Sequence, residues 1–356
     1  MSRPTRLHID IDALQHNFNR VRTLAPGSAI VAMVKANAYG HGSVKIAQGL
    51  PQADAFGVAC IEEALVLRKA NILQPIILME GFFTADELDD ICQYNLEIVV
   101  HHFAQLEALE RYRAPKPVKI WFKINTGMNR LGFLSHEVEQ AYQRLQACAS
   151  VDADIRLMTH FATAGDRANS NTNQQLALFS KITQDWSGKR SLANSAGILA
   201  WQASHCDWVR AGIMLYGVSP IAGKQAADFD LKPVMTVSSE IIAIQDLRKG
   251  DKVGYRGVWT CPQNMRIGVV AIGYGDGYPW HAATGMPVLV NNSVVPLIGC
   301  VSMDMITVDL RTQPTTKVGD PVILWGQGLP IENIANYAET IPYELMCKVT
   351  ERIRRT

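Results

Sequence analysis

Between residues 28 and 216 short apolar runs alternate with longer amphipathic stretches, and this rhythm limits the fold more than any other feature of the chain. Strands covered by helices on both faces of a parallel sheet read as continuous apolar runs. Such runs fall at 29–35, 55–59, 75–79, 96–100, 118–124, 155–160, 191–194 and 208–215. Helical patterns at 62–70, 84–93, 103–110, 135–149 and 173–186 lie between them, and Thr84 with Glu87 predicts a capping box. Eight strands alternating with helices predict an α/β fold, a (β/α)8 TIM-type barrel rather than an open sheet. The run at 191–194 is the weakest, so seven strands stay open on pattern alone.

After about residue 225 the rhythm changes. Strand-like runs at 234–244, 266–272, 287–290, 294–298, 305–310 and 321–325 are separated by tight turn residues. One helical pattern follows, at 332–339. This predicts a mostly antiparallel β domain. The polar stretch 222–230 reads as the linker, giving a barrel domain over 1–228 and a β-rich domain over 229–356.

Composition narrows the function classes. The 34 basic and 33 acidic residues leave a formal charge of +1, with no long run of either sign, so nothing proposes nucleic acid or an anionic membrane as a partner. The cluster Arg352-Ile353-Arg354-Arg355 reads as a solvated tail. No apolar run approaches the length of a membrane span, and the first residues carry no secretory pattern. Seven cysteines, odd in number and without a CxxC pair, read as reduced thiols. The expected location is the cytoplasm.

Chemistry in such a barrel gathers where strands end at the carboxyl face. Lys35 ends the run 30–34, where a partly desolvated amine can attack a carbonyl. Arg130 lies in the loop after the fifth run, and a forked guanidinium there suits a carboxylate. Lys123 alternates with Trp121, so it can point into the barrel, and His160 ends the sixth run. Asn194 and Ser195 precede Ala196 and Gly197 where a strand meets a helix start, an arrangement that suits a phosphate or, more plainly, an N-cap. Arg210 and Gly212-Ile213 stand at the eighth run, and Gly212 permits close approach to the same anion.

Three strings make these residues specific. Lys35 to Gly42 reads KANAYGHG, Lys123 to Phe133 reads KINTGMNRLGF, and Lys252 to Gly257 reads KVGYRG. The first resembles the cofactor-lysine motif of alanine racemases, which bind pyridoxal 5′-phosphate (PLP) as a Schiff base. The other two resemble that family's carboxylate-binding and tyrosine segments, and GYGDGY at 273–278, VSMD at 301–304 and IPYE at 341–344 also match in order.

The resemblance implies a PLP enzyme that interconverts L- and D-alanine by a two-base mechanism. Lys35 would carry the cofactor and serve the D face, while Tyr255 of a second copy would serve the L face in a homodimer with shared sites. It further implies Tyr39, His160, Asn194, Ser195, Arg210, Gly212, Ile213 and Tyr343 at the cofactor, with Arg210 facing the ring nitrogen. Arg130 and the backbone of Met303 would meet the substrate carboxylate, and Lys123 would be a carbamylated lysine. A free phenol is a poor base at neutral pH, so Tyr255 needs cationic neighbours, which the resemblance supplies as His160 and Arg210. Arg256 and Trp280 depart from the family pattern, which puts the form of the entryway or the dimer contact in question but not the chemical groups. A PLP carrier without catalysis would lack a β domain like residues 230–356, and the KANAYGHG and Tyr255 segments argue against a related decarboxylase. A broader amino-acid racemase is the remaining alternative, with serine as a minor substrate.

Overall fold

Eight parallel strands close into a barrel in the computed structural model, which describes residues 3–356. The chain first lays down β1 (Arg6–Ile9) and then the barrel strands β2 (Ala29–Met33), β3 (Ala55–Val58), β4 (Ile76–Leu78), β5 (Glu97–Val100), β6 (Ile120–Lys123), β7 (Arg156–Met158), β8 (Arg190–Ser191) and β9 (Trp208–Ala211). Closure comes from β2 pairing with β9, Ala29 opposite Trp208 through Ala32 opposite Ala211. The expected barrel is therefore present with its eighth member. The weak run at 191–194 contributes only Arg190–Ser191, displaced by one residue toward the amino end. Ile30, Val31 and Ala32 are fully buried, as a strand packed on both faces requires.

Local signals set the helix starts. Asp10 accepts from the Ala13 amide at 2.9 Å and caps the helix Ile11–Leu24. Glu87 accepts from the Thr84 amide at 3.0 Å, half of the expected box, and the helix itself begins later than the pattern suggested, at Glu87. The amino end of the barrel is plugged by a polar group of its own. Buried Glu97 accepts from Trp121 Nε1 at 2.8 Å and from Arg156, whose guanidinium lies 4.9 Å from the ring centre of Trp121 and 5.2 Å from that of Trp208.

The carboxyl-terminal part is a twisted sheet of mostly antiparallel strands. Its members are β10 (Met235–Leu247), β13 (Met265–Val270), β14 (Pro287–Val290), β15 (Ser293–Ile298), β16 (Ile306–Asp309), β17 (Pro321–Trp325) and β18 (Arg354–Arg355). A small ribbon of β11 (Lys252–Val253) and β12 (Trp259–Thr260) stands apart. The sheet runs β13-β16-β15-β14-β17-β10-β1-β18. Residues 6–9 thus pair with β10, although they precede the barrel in sequence. The tail keeps its arginine side chains exposed as expected, but its backbone is not free: Arg354–Arg355 pair in parallel with β1, and the Thr356 amide donates to Leu7 at 2.9 Å. Among the described residues no helix is long and apolar enough to cross a membrane.

Candidate active site at the carboxyl end of the barrel

Lys35 follows β2 by two residues, and the chain then does something uncommon. Ala36, Asn37, Ala38 and Tyr39 all have φ between 51° and 53°, one left-handed turn made without glycine. Each such residue is disfavoured by roughly 1–2 kcal/mol, so tertiary contacts must hold the turn. Glu63 accepts from the Ala36 amide at 2.7 Å and Asn37 Oδ1 accepts from the Ser43 amide at 2.8 Å. Gly40 lies so close to the Met346 carbonyl that a β-carbon there would come within 2.1 Å of it. The helix Pro342–Cys347 therefore packs on the turn and brings Tyr343 to Tyr39, with ring centres 5.9 Å apart.

This turn borders a cavity of about 470 Å³ at the carboxyl ends of the barrel strands. Lys35, Tyr39, Lys123, Arg130, His160, Asn194, Ser195, Arg210, Gly212, Ile213 and Tyr343 all line it. Tyr255 and Met303 do not: they sit on the carboxyl-terminal domain, 72% and 52% exposed. Residues that strand-end reasoning passed over also line the cavity, among them Met33, Met79, Leu131, Pro220 and Glu80. Glu80 follows the run 75–79 as Lys35 follows 30–34, so the same rule applied to every strand would have found it.

Arg210 is fixed from several sides. Nη1 donates to the Ser191 carbonyl at 2.8 Å and to Ser191 Oγ at 2.7 Å, while Nη2 donates to the Thr159 carbonyl at 2.6 Å. Nη2 also meets His160 Nδ1 at 3.3 Å, and because a guanidinium only donates, this ring nitrogen is the acceptor. Burial lowers the Arg210 pKa to about 10, which leaves it cationic near neutrality. His160 is pushed well below the usual histidine range by burial, then by Arg210 and Lys123, and so is neutral, which leaves Arg210 alone of the two expected cationic neighbours of Tyr255. Lys123 comes down to about 8, by burial first and then by Arg210, Arg130 and Lys35. Burial also raises Tyr343, to about 12, and raises Tyr39 further. A cluster of four cationic side chains facing one carboxylate is an anion site.

The floor of the cavity is made by three segments that touch. Asn194 caps the short helix Ser195–Ala200, its Oδ1 accepting from the Gly197 amide at 3.0 Å, so the plain N-cap reading of Asn194 is what its side chain does. Ser195 Oγ accepts from the Gly212 amide at 2.9 Å. A β-carbon at Gly212 would lie 2.8 Å from the Tyr39 hydroxyl, so only glycine leaves this corner open. Behind it, Tyr216 donates to the Met33 carbonyl at 2.7 Å and packs on Tyr39 with ring centres 4.9 Å apart.

Comparison with known proteins now decides the family. The model of the alanine racemase N-terminal domain matches residues 9–220 and that of the C-terminal domain matches 234–356. The chain belongs to the alanine racemase family. An alanine racemase of Aeromonas hydrophila is 50% identical over 345 residues, covering 97% of each chain. The biosynthetic alanine racemase of Pseudomonas aeruginosa superposes with a TM-score of 0.97 at 41% identity, over 99% of both chains. The alanine racemase of Bartonella henselae, solved with covalently bound pyridoxal phosphate, superposes at 0.91 with 29% identity over 99% of both.

The second group of expected residues lies in the carboxyl-terminal domain, Tyr255 between β11 and β12 and Met303 between β15 and β16. The Tyr274 amide donates to the Ser302 carbonyl at 3.1 Å and the Gly275 amide to the Met303 carbonyl at 2.9 Å. Arg352 Nη2 reaches Asp304 at 2.6 Å, and Asp276, fully buried, takes Arg3 and accepts from the Gly273 amide at 2.9 Å. Both chain ends thus brace the loop that carries Met303. In the same domain Tyr255, Val258, Tyr274, Trp280, Met303 and Met305 are all exposed. Arg256 and Trp280, the departures from the family pattern, are exposed in this domain as well.

Proposed function

We propose that this family member racemises alanine with PLP held on Lys35, and that a second copy of the chain completes each site with Tyr255 and Met303. The observation that carries the reading is the cavity itself: three cationic side chains, Lys123, Arg130 and Arg210, and a glycine-lined corner converge beside Lys35 at a strand end. The corner formed by Tyr39, Ser195 and Gly212-Ile213 suits a phosphate, with Tyr343 beside it, and the cavity volume suits a ligand of that size. When bound, PLP supplies the electron sink that makes the amino acid's Cα–H acidic.

The chain's own residues supply the rest. Lys35 Nζ holds or releases the proton on the D face of Cα, and the phenol of Tyr255 from the other copy does so on the L face. Both terminal nitrogens of Arg210 are taken by protein acceptors, leaving Nε–H for the ring nitrogen. A guanidinium does not give up its proton, so the ring nitrogen would stay unprotonated, which favours returning the proton to Cα over transamination. Arg130 engages the substrate carboxylate by its fork, together with the backbone at Met303. Lys123, with a pKa near 8, presents enough neutral amine to take up carbon dioxide, releasing one proton and gaining a carbamate charge that orients Arg130.

Exposed Tyr255, Tyr274, Met303 and Met305 support the homodimer, because Gly254 lies beside Cys300 and Gly275 binds Met303, and neighbouring exposed apolar side chains mark a contact. Seven free cysteines fit a cytoplasmic location. We divide the chain functionally at 228/229, with cofactor groups before it and the residues lent to the second site after it. Tyr343 crosses that division. The test is D-alanine formation from L-alanine by purified protein, with and without added PLP. PLP-dependent conversion is the expected result; bound PLP without conversion of alanine refutes the assignment.

A further inference from the structure

Glu63 lies outside the cavity, yet its carboxylate joins two strand ends. It occupies the first turn of the helix Ile61–Lys69, and Oε2 accepts from the Ala59 amide at 2.8 Å. That bond alone would be ordinary helix capping. Oε1, however, accepts from the Ala36 amide at 2.7 Å, and Ala36 belongs to a different strand–loop unit. Ala36 is the residue after Lys35 and the first of the four in left-handed conformation. The remaining supports of the turn act further along, at Asn37 and Gly40. Both carboxylate oxygens are therefore taken by main-chain amides, one of them the amide bonded directly to the Lys35 carbonyl carbon.

We propose that Glu63 is a positioning residue for Lys35: it pins the start of the left-handed turn to the end of β3 and so fixes where the lysine amine stands against the D face of the substrate. The inference rests on the reading of Lys35 as the D-face proton carrier. Only a carboxylate offers two acceptors at this reach. A glutamine would turn an amide donor toward one of the two N–H groups, leaving a bond unmade. Displacement of the amine by a fraction of an ångström weakens proton transfer steeply, since reaction depends on a near-attack geometry.

Glu63→Gln in the PLP-loaded protein tests this, with alanine carrying deuterium at Cα. Slowing the Lys35 step makes it more rate-limiting, so the deuterium effect on kcat should rise for D-alanine. For L-alanine, whose deuterium is removed by Tyr255, it should fall. A general loss of folded protein moves neither. Turnover should drop about 10- to 100-fold, the range expected for a misplaced group. PLP titrated into the cofactor-free variant should bind about tenfold more weakly, the worth of one hydrogen bond to a charged group. Adding Ala36→Gly to the variant should restore part of both, because glycine adopts the left-handed conformation without strain. If Glu63→Gln does not fold, Glu63→Asp, which keeps the charge and shortens the reach, is read in the same way. Isotope effects unchanged in both directions, with wild-type racemisation intact, overturn this inference alone. A wild-type protein that racemises no alanine overturns it together with the reading beneath it.

Discussion

At the amino end of the barrel Glu97 is matched by Arg156 and Lys119 and by the indole N–H of Trp121, whereas at the carboxyl end Lys35, Lys123, Arg130 and Arg210 line a cavity whose one carboxylate is Glu80. The same eight strands position both groups, and each has a buried centre, Glu97 at the amino end and Lys123 with Arg210 at the carboxyl end, where Lys35 is half-buried and Arg130 exposed. At the amino end each charge has a protein partner, and the group acts as a plug. At the carboxyl end cations outnumber anions, and burial already pulls Lys123 toward neutrality. A site that keeps uncompensated charge out of water is less stable empty than filled. The difference separates a stabilising cluster from a ligand site in one barrel.

The comparison breaks most visibly if the carboxyl-end site proves complete within one chain. Tyr255→Phe should lower turnover about 10²- to 10⁴-fold, the usual loss for a proton carrier, while PLP remains bound. Lys35→Ala should be at least as severe. Mixing the two inactive variants under conditions that exchange subunits should regenerate activity, because mixed dimers contain one intact site. Mixtures that stay inactive, although mixed dimers are shown to form, would sink the shared-site reading.

At the amino end, Arg156→Met should destabilise the fold by about 3–5 kcal/mol, since it leaves Glu97 buried and short of its main partner. Activity per folded molecule should be unchanged. Urea unfolding with parallel assays checks both halves.

Removing a cation from the other end should act in the opposite direction. In protein freed of carbon dioxide, where Lys123 carries its amine and no carbamate, Lys123→Met should stabilise the cofactor-free protein by about 1–3 kcal/mol at pH 7. Here the folded pKa, about 8, lies below the unfolded value, so the folded state carries the penalty in full below about pH 8. As pH rises above that the native lysine becomes neutral, and the advantage of the variant should shrink toward nothing near the unfolded pKa. A melting series against pH measures this. Destabilisation at pH 7 would mean that Lys123 is already compensated.

The smallest effect should come from the face lent to the second site. Arg352→Ala releases Asp304 and loosens the loop of Met303, so KM for alanine should rise several-fold, about the worth of an exposed ion pair, with kcat nearly kept. A fall in kcat at constant KM would place Arg352 elsewhere in the chemistry.

Much of the barrel was legible because its strands are buried on both faces and therefore read as unbroken apolar runs. The strand at 190–191 was nearly invisible, being two residues long, yet its Ser191 holds Arg210. The run rule located Lys35, His160 and Arg210. It passed over Glu80, which is no less regularly placed. The helix carrying Tyr343 went unseen because six residues give too little periodicity to read.

The order of elements, the strand-end positions of the reactive groups and the tight turn chemistry of the carboxyl-terminal sheet are local properties, and the sequence by itself determined them. The pairing of β1 with β10 and of β18 with β1 joins residues more than 200 positions apart, and no local pattern encodes such a partner. The left-handed turn after Lys35 is unfavourable for every residue in it, and it exists because Glu63, Asn37 and the close approach of Met346 hold it there. Only the tertiary structure could decide that, because a strained backbone is stable only when contacts from other elements over-determine it.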